Sequence, residues 1–109
     1  MIIDATTEGK WKLITVSGRF DAQNSARVEE VLLAQLALEN IFIAVDLSGV
    51  NYMSSAGLRV LLSAYKKAKI NGGSLILLKP GDNITEILNL SGFNKIFFVV
   101  NSIEGLLNL

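Results

Sequence analysis

Asp46-Leu-Ser-Gly-Val-Asn-Tyr-Met-Ser-Ser-Ala-Gly-Leu-Arg-Val60 is the stretch on which the reading of this chain turns. Just before it, Ile41–Asp46 is an apolar run closed by an aspartate, the pattern of a parallel strand buried on both faces. Just after it, Leu58, Leu61, Leu62, Tyr65 and Ala68 recur at helical spacing. The segment therefore predicts a buried strand, a short turn and a helix opening at Ser54-Ser55. N–H groups in the first turn of a helix lack partners within it and carry the positive end of its dipole. A hydroxyl there can cap the helix, accept a phosphate or meet a partner.

The same alternation extends outward in both directions. Toward the N-terminus, Ile2–Thr6 and Lys10–Val16 predict two strands joined at a hairpin turn near Glu8-Gly9. Gly18-Arg-Phe-Asp21 breaks that pattern, and Val28, Val31, Leu32, Gln35 and Leu36 then mark a helix. Asp21, Asn24 and Ser25 are its candidate caps. Toward the C-terminus, Asn71-Gly-Gly73 ends the second helix and Leu75–Leu78 predicts another buried strand. A short helix starts at Asp82 or Asn83 and carries Ile84, Ile87, Leu88 and Leu90. Gly92 stops it, Ile96–Val100 is the last strand, and Asn101 or Ser102 caps a final turn with Ile103, Leu106 and Leu107. Strand–helix–strand repeats of this length imply right-handed crossovers. The expected fold is thus one α/β domain over residues 1–109, with helices packed on a mixed, mostly parallel sheet of about five strands.

Composition narrows the function. Ten basic and ten acidic residues cancel, so no net field draws the chain to nucleic acid or to an anionic membrane. The chain has no histidine and no cysteine, which removes Ser-His-Asp and Cys-His catalysis, disulfides and the usual zinc ligand sets. No Gly-x-Gly-x-x-Gly or Gly-x(4)-Gly-Lys-Ser/Thr pattern is present, so no nucleotide cofactor is expected. An enzyme would need a carboxylate or lysine as its base, and no spacing suggests one. The apolar runs are far too short to insert in a bilayer, and the first residues lack the basic flank of a signal peptide, so a cytoplasmic protein is expected. Half of the residues are hydrophobic and 18% are charged, against about 25% in an average domain. An exposed apolar patch is therefore expected, with Tyr52 or Leu58 contributing to it beside the serines. Phe93, Phe97 and Phe98 read as core.

The Asp46–Arg59 segment, together with Gly18-Arg-Phe-Asp21 and Leu88-Asn-Leu-Ser-Gly-Phe-Asn-Lys-Ile-Phe97, resembles the STAS domain, the family of bacterial anti-sigma-factor antagonists. The order of predicted elements is similar to that family's along nearly the whole chain. In those proteins the motif runs roughly Asp-Leu-Ser, a few residues, then Met-Asp-Ser-(Ser/Thr)-Gly-Leu-Gly. The resemblance implies a binding module without chemistry of its own. Its partner would be an anti-sigma-factor serine kinase of the histidine-kinase-like ATPase fold, which phosphorylates a hydroxyl at this helix start. The unphosphorylated antagonist binds that kinase and frees the sigma factor. The implied contact residues are Asp21, Tyr52, Met53, Ser54, Ser55, Ala56, Gly57, Leu58 and Arg59. A weak homodimer stays open. The alternative is a structural or regulatory STAS subunit of a phospholipid ABC transporter, or a scaffold of a stress-signalling particle, that is not phosphorylated.

Laid on the motif, Met53, Ser55, Gly57 and Leu58 match. Ser54 stands where relatives carry aspartate, Ala56 on the usual phosphoacceptor and Arg59 on a common glycine. Alanine has no hydroxyl, so three readings stay open. Ser55 accepts the phosphate by a one-residue shift; Ser54 accepts it; or one of them caps the helix, Ser54 through the amide of Gly57 or Ser55 through that of Leu58, and neither is modified. Arg59 opposes the helix dipole. It is either solvated or used: against Asp46 or Asp21, on a phosphate at Ser55, or on an acidic partner residue. Asp21 and Asp46 could converge on the rim as a magnesium or phosphate site, the plainer reading being that each caps a local turn.

Overall fold

The computed structural model describes residues Met1–Leu109. Five strands form one sheet: β1 (Ile2–Glu8), β2 (Trp11–Phe20), β3 (Phe42–Met53), β4 (Ser74–Leu78) and β5 (Val99–Val100). They lie in chain order, β1 antiparallel to β2 and every later pair parallel. Three helices connect the parallel strands, α1 (Ser25–Ala37), α2 (Ser55–Ile70) and α3 (Asp82–Ser91), and α4 (Ile103–Leu107) follows β5. The expected single α/β domain with a mostly parallel sheet is the fold observed. No helix is long and apolar enough to cross a membrane.

Strand side chains alternate between two unequal cores. Ile14, Val16, Ile43, Val45, Leu75 and Leu77 face α1, α2 and α3, where they meet Val28, Leu32, Leu61 and Ile84. Trp11, Leu13, Ala44, Ile76, Leu78 and Val100 face the other way, where α4 brings Leu106 and Ile103. Helix α2 ends as the glycine pair predicts. Gly72 takes φ +88°, and the N–H groups of Gly72 and Gly73 bond the carbonyls of Lys69 and Ala68, closing the last turn. Gly73 also lies so close to the Ile41 carbonyl that no Cβ could fit.

Four expectations are corrected. Gly18-Arg-Phe does not end β2, which continues to Phe20 with Gly18 at φ +105°. Likewise β3 does not turn after Asp46 but runs on to Met53. The two extensions pair with each other, with register shifts between Thr15 and Ser17 and between Gly18 and Arg19. Each shift adds a residue to β3, so the residues facing the helices recur at every second position from Ile43 to Leu47 and every third from there to Met53. Third, the last strand keeps only Val99–Val100, because the 3-10 turn at Phe93–Lys95 draws in the next two residues, whose N–H groups (Ile96 and Phe97) both bond the Phe93 carbonyl. Fourth, of the three phenylalanines placed in the core only Phe97 is fully buried, against Tyr65 and Phe93, while Phe98 is 58% exposed.

Candidate functional site

The bulged half of β3 delivers the chain to α2 without a loop. Ser54 alone separates strand from helix, and its N–H donates to the carbonyl of Phe20, the last residue of β2, at 3.0 Å. Its hydroxyl accepts the N–H of Gly57 at 3.4 Å, and its carbonyl accepts that of Leu58 at 3.0 Å. Ser54 is therefore the helix cap. Ser55 is the first helical residue, is exposed, and its hydroxyl makes no hydrogen bond within the chain. No bond from Leu58 to the Ser55 side chain exists, because the Leu58 amide is taken by the Ser54 carbonyl.

Gly57 sets the depth of the helix start. A Cβ there would stand 2.7 Å from the Phe20 carbonyl oxygen and 3.0 Å from Met53 Cγ. Only a residue without a side chain lets α2 approach the end of β2 this closely. Met53, Gly57 and Leu58 are all buried, Leu58 at 8% exposure. They shape the edge from beneath, so the expectation that Leu58 belongs to an exposed patch is corrected: its side chain is held in the core under the helices.

Tyr52 is different. The second bulge pairs it with Arg19, and the Arg19 guanidinium lies 4.4 Å from its ring centre. Tyr52 stays 39% exposed. The same guanidinium reaches the Asp21 carboxylate at 3.5 Å, and Asp21 also accepts the N–H groups of Gln23 and Asn24. Asn24 donates from its side-chain amide to the Arg19 carbonyl at 2.8 Å. Neither Asn24 nor Ser25 caps α1 with its side chain: the Asn24 amide is spent on the Arg19 carbonyl, the Ser25 hydroxyl donates to the Ala22 carbonyl, and the Arg27 N–H goes to the Asn24 carbonyl. Arg19 is the site residue that the sequence did not mark. It faces Tyr52 only through a register shift between distant segments, and no local pattern encodes that shift.

On the other side of Ser55, Ala56 and Arg59 line a groove of about 600 Å³ between α1 and α2, with Ser25, Ala26, Glu29 and Lys66 on its walls. Arg59 is exposed and pairs with neither Asp46 nor Asp21. Asp46 lies inside β3, buried, where it accepts the N–H of Ser48 at 2.9 Å at the first bulge and faces Lys79 at 3.8 Å. The two aspartates are thus spent separately, and no group of three carboxylates that could hold a metal ion forms anywhere. An apolar patch exists but not here. Phe98, 58% exposed, and Leu109, 48% exposed, form it with the half-buried Phe42 at the opposite end of the sheet, over the buried Trp11 and Ile76, where β3 and β4 begin.

The edge is therefore a raised rim around an unbonded hydroxyl, with Arg19 over Tyr52 on one flank and the groove with Arg59 on the other. Residues 3–106 match the family model described as the STAS domain. The chain is 32% identical over 95 residues to the anti-sigma-B factor antagonist of Listeria monocytogenes, covering 87% of this chain and 82% of that protein. It is 28% identical over 102 residues to the anti-sigma-B factor antagonist of Staphylococcus aureus, covering 94% of each. Among solved structures, an anti-sigma factor antagonist from Mycobacterium paratuberculosis superposes with a TM-score of 0.88 at 22% identity, covering 98% of this chain and 91% of that one. The Bacillus cell fate determinant SpoIIAA in its phosphorylated form superposes with a TM-score of 0.74 at 15% identity, covering 96% of each chain. At those identities the structural likeness establishes a shared fold.

Proposed function

The chain belongs to the STAS domain family, and from that membership we propose that it is an anti-sigma factor antagonist, a cytoplasmic binding module rather than an enzyme. Its partner in this reading is an anti-sigma factor serine kinase of the histidine-kinase-like ATPase fold, docked on the rim formed by Asp21, Tyr52, Ser54, Ser55, Ala56 and Arg59. Docking there withdraws the kinase from a sigma factor.

The observation that carries the reading is Ser55, an exposed hydroxyl at the first residue of α2 with no bond to give up. Its oxygen would attack the γ-phosphorus of ATP held by the kinase, with ADP leaving and the hydroxyl proton passing to a base on the kinase. The product carries nearly two negative charges and three strong acceptors, which the start of a helix accommodates. A surface fitted to a neutral hydroxyl would have to desolvate that dianion, and each ~1.4 kcal/mol of cost weakens binding tenfold. Ser54 is the weaker acceptor because its oxygen already serves the Gly57 amide.

Ala56 favours a second reading, a constitutive antagonist or scaffold subunit without a phosphate switch, since the position that carries the hydroxyl in the family motif here has none. Affinity capture of the tagged chain from its source in the presence of ATP, with mass spectrometry of bait and partners, separates the two. A kinase-like ATPase with phosphate on Ser55 supports the first. The ATPase with an unmodified bait supports a constitutive antagonist, and transporter or scaffold proteins without the ATPase overturn the antagonist reading.

A further inference from the structure

We propose that the free edge of β1 pairs antiparallel with the same edge of a second copy of this chain, with the twofold axis at Ala5. The backbone sets up the pairing. Strand β1 lies at the rim of the sheet and its only ladder is with β2, seven pairs from Ile2↔Ser17 to Glu8↔Trp11 without a register shift. A two-residue turn joins them, with Gly9 at φ +61°, the left-handed first position of a type II′ hairpin. The turn makes Glu8↔Trp11 a hydrogen-bonded pair, and bonded pairs alternate along an antiparallel ladder. Glu8, Thr6, Asp4 and Ile2 thus spend their N–H and C=O groups on β2, and those of Thr7, Ala5 and Ile3 point out of the sheet.

Of the usual guards of such an edge only charge is present, in Asp4 and Glu8. β1 contains no proline, no lysine and no bulge, and its isoleucines and threonines suit an extended pair. The opposite edge, β5, is only two residues long and offers no comparable template.

Charge then selects the register. Outward-facing residues can pair only with outward-facing residues, so a twofold axis must pass through a residue of the strand. An axis at Asp4 sets the two Asp4 carboxylates opposite each other, and one at Thr6 sets Asp4 against Glu8. Both place like charges face to face, which is destabilising. An axis at Ile3 or Thr7 runs part of the strand off its end. The axis at Ala5 uses all seven residues: Ile3 faces Thr7, Asp4 faces Thr6, and Ile2 faces Glu8. It joins the three outward N–H and three outward C=O groups of each copy in about six hydrogen bonds. A net charge of zero leaves no overall repulsion to hold two copies apart. An interface of one strand edge falls at the small end of protein contacts, so the dimer is a reversible one.

Sedimentation or light scattering over a concentration series reaching the millimolar range reads the equilibrium. Ala5→Pro removes only an outward N–H, which an edge strand tolerates. It should raise the dimer dissociation constant at least about tenfold, with the circular dichroism spectrum unchanged. Ala5→Cys puts a lone thiol into a cysteine-free chain. Across the axis two such residues have Cα atoms about 5.5 Å apart, within disulfide range. Mild oxidation should link Ala5→Cys into a dimer and leave Ile2→Cys, far from its own copy, unlinked. A wild-type chain that stays monomeric throughout the series overturns the proposal, as does a dimer that survives Ala5→Pro or links equally well through Ile2→Cys.

Discussion

The carbonyl oxygen of Phe20 accepts the backbone N–H of Ser54 at 3.0 Å, which ties the end of β2 to the capping residue of the helix that β3 feeds. The same oxygen is the wall against which Gly57 packs. Two forces oppose each other in Gly57→Ala. Helix propensity gains about 1 kcal/mol, but the added methyl meets a hydrogen-bonded backbone carbonyl that cannot step aside, an overpacking cost of about 1–3 kcal/mol. The steric term wins, and the melting temperature should fall by several degrees. A higher melting temperature would show that the strand end yields.

Ser54→Ala and Ser55→Ala separate cap from hydroxyl. The first removes the acceptor of the Gly57 amide and should destabilise the fold by about 0.5–1 kcal/mol, the low end for a cap because the bond is long. The second removes a group with no intramolecular partner and should leave stability within about 0.5 kcal/mol of the parent. Urea titration of the three proteins reads both effects.

Ser55→Asp places a permanent negative charge at the first helical residue, where the dipole favours it by about 0.3–1 kcal/mol. Melting should therefore hold or rise slightly. Calorimetric affinity for the proposed kinase partner should drop by an order of magnitude or more, and equal affinity would sink the switch at Ser55.

Arg19 and Tyr52 should act as one contact. A double-mutant cycle of Arg19→Ala and Tyr52→Ala should give a coupling of about 0.5–1 kcal/mol in the folding free energy, the size of an exposed cation–π pair. Each single change should weaken partner binding, because the stack fixes the rim's one exposed aromatic. Additive effects on stability would mean that the stack is incidental.

Arg59→Ala should leave melting unchanged or slightly raised, since a cation leaves the wrong end of a helix and a better helix former enters. Its affinity for the partner should fall. A loss of stability equal to the loss of affinity would assign Arg59 to the fold instead.

How far the sequence could be read followed the range of the forces involved. The helices, their glycine stop at Gly72-Gly73 and the start of the two central buried strands rest on local periodicity, and they appear where the pattern sets them, whereas the last strand is cut back to Val99–Val100. The ends of β2 and β3 do not, because Ser-Gly and Gly-Arg each read alone as breakers. Side by side they complement each other: a Cβ at Gly49 would lie 2.8 Å from Ser17 Cβ, so glycine here marks close approach of two strands, not a turn. The serines, Ala56 and Arg59 were legible from the motif. Their division of labour was not, since whether Ser54 or Ser55 caps depends on where β3 ends, and two long-range bulges decide that. Excess apolar composition did imply an exposed patch, but composition carries no position, and the patch formed at the far end of the sheet.

The unequal coating of the sheet has a consequence for the order in which the molecule opens. Three helices seal one face, but the other depends on the five residues of α4, itself held by a two-residue strand and the Ser102 cap. Segments with so few buried contacts detach at a free energy well below that of global unfolding. Amide hydrogens from Val99 onward should exchange with solvent before those of β3 and α2, while the rim around Ser55 is still fully formed. Loss of α4 would bare Trp11, Leu13 and Ile76 at the end of the molecule remote from the proposed docking edge. Proteolytic nicking or aggregation should therefore begin at a place from which binding competence is the last property to be lost.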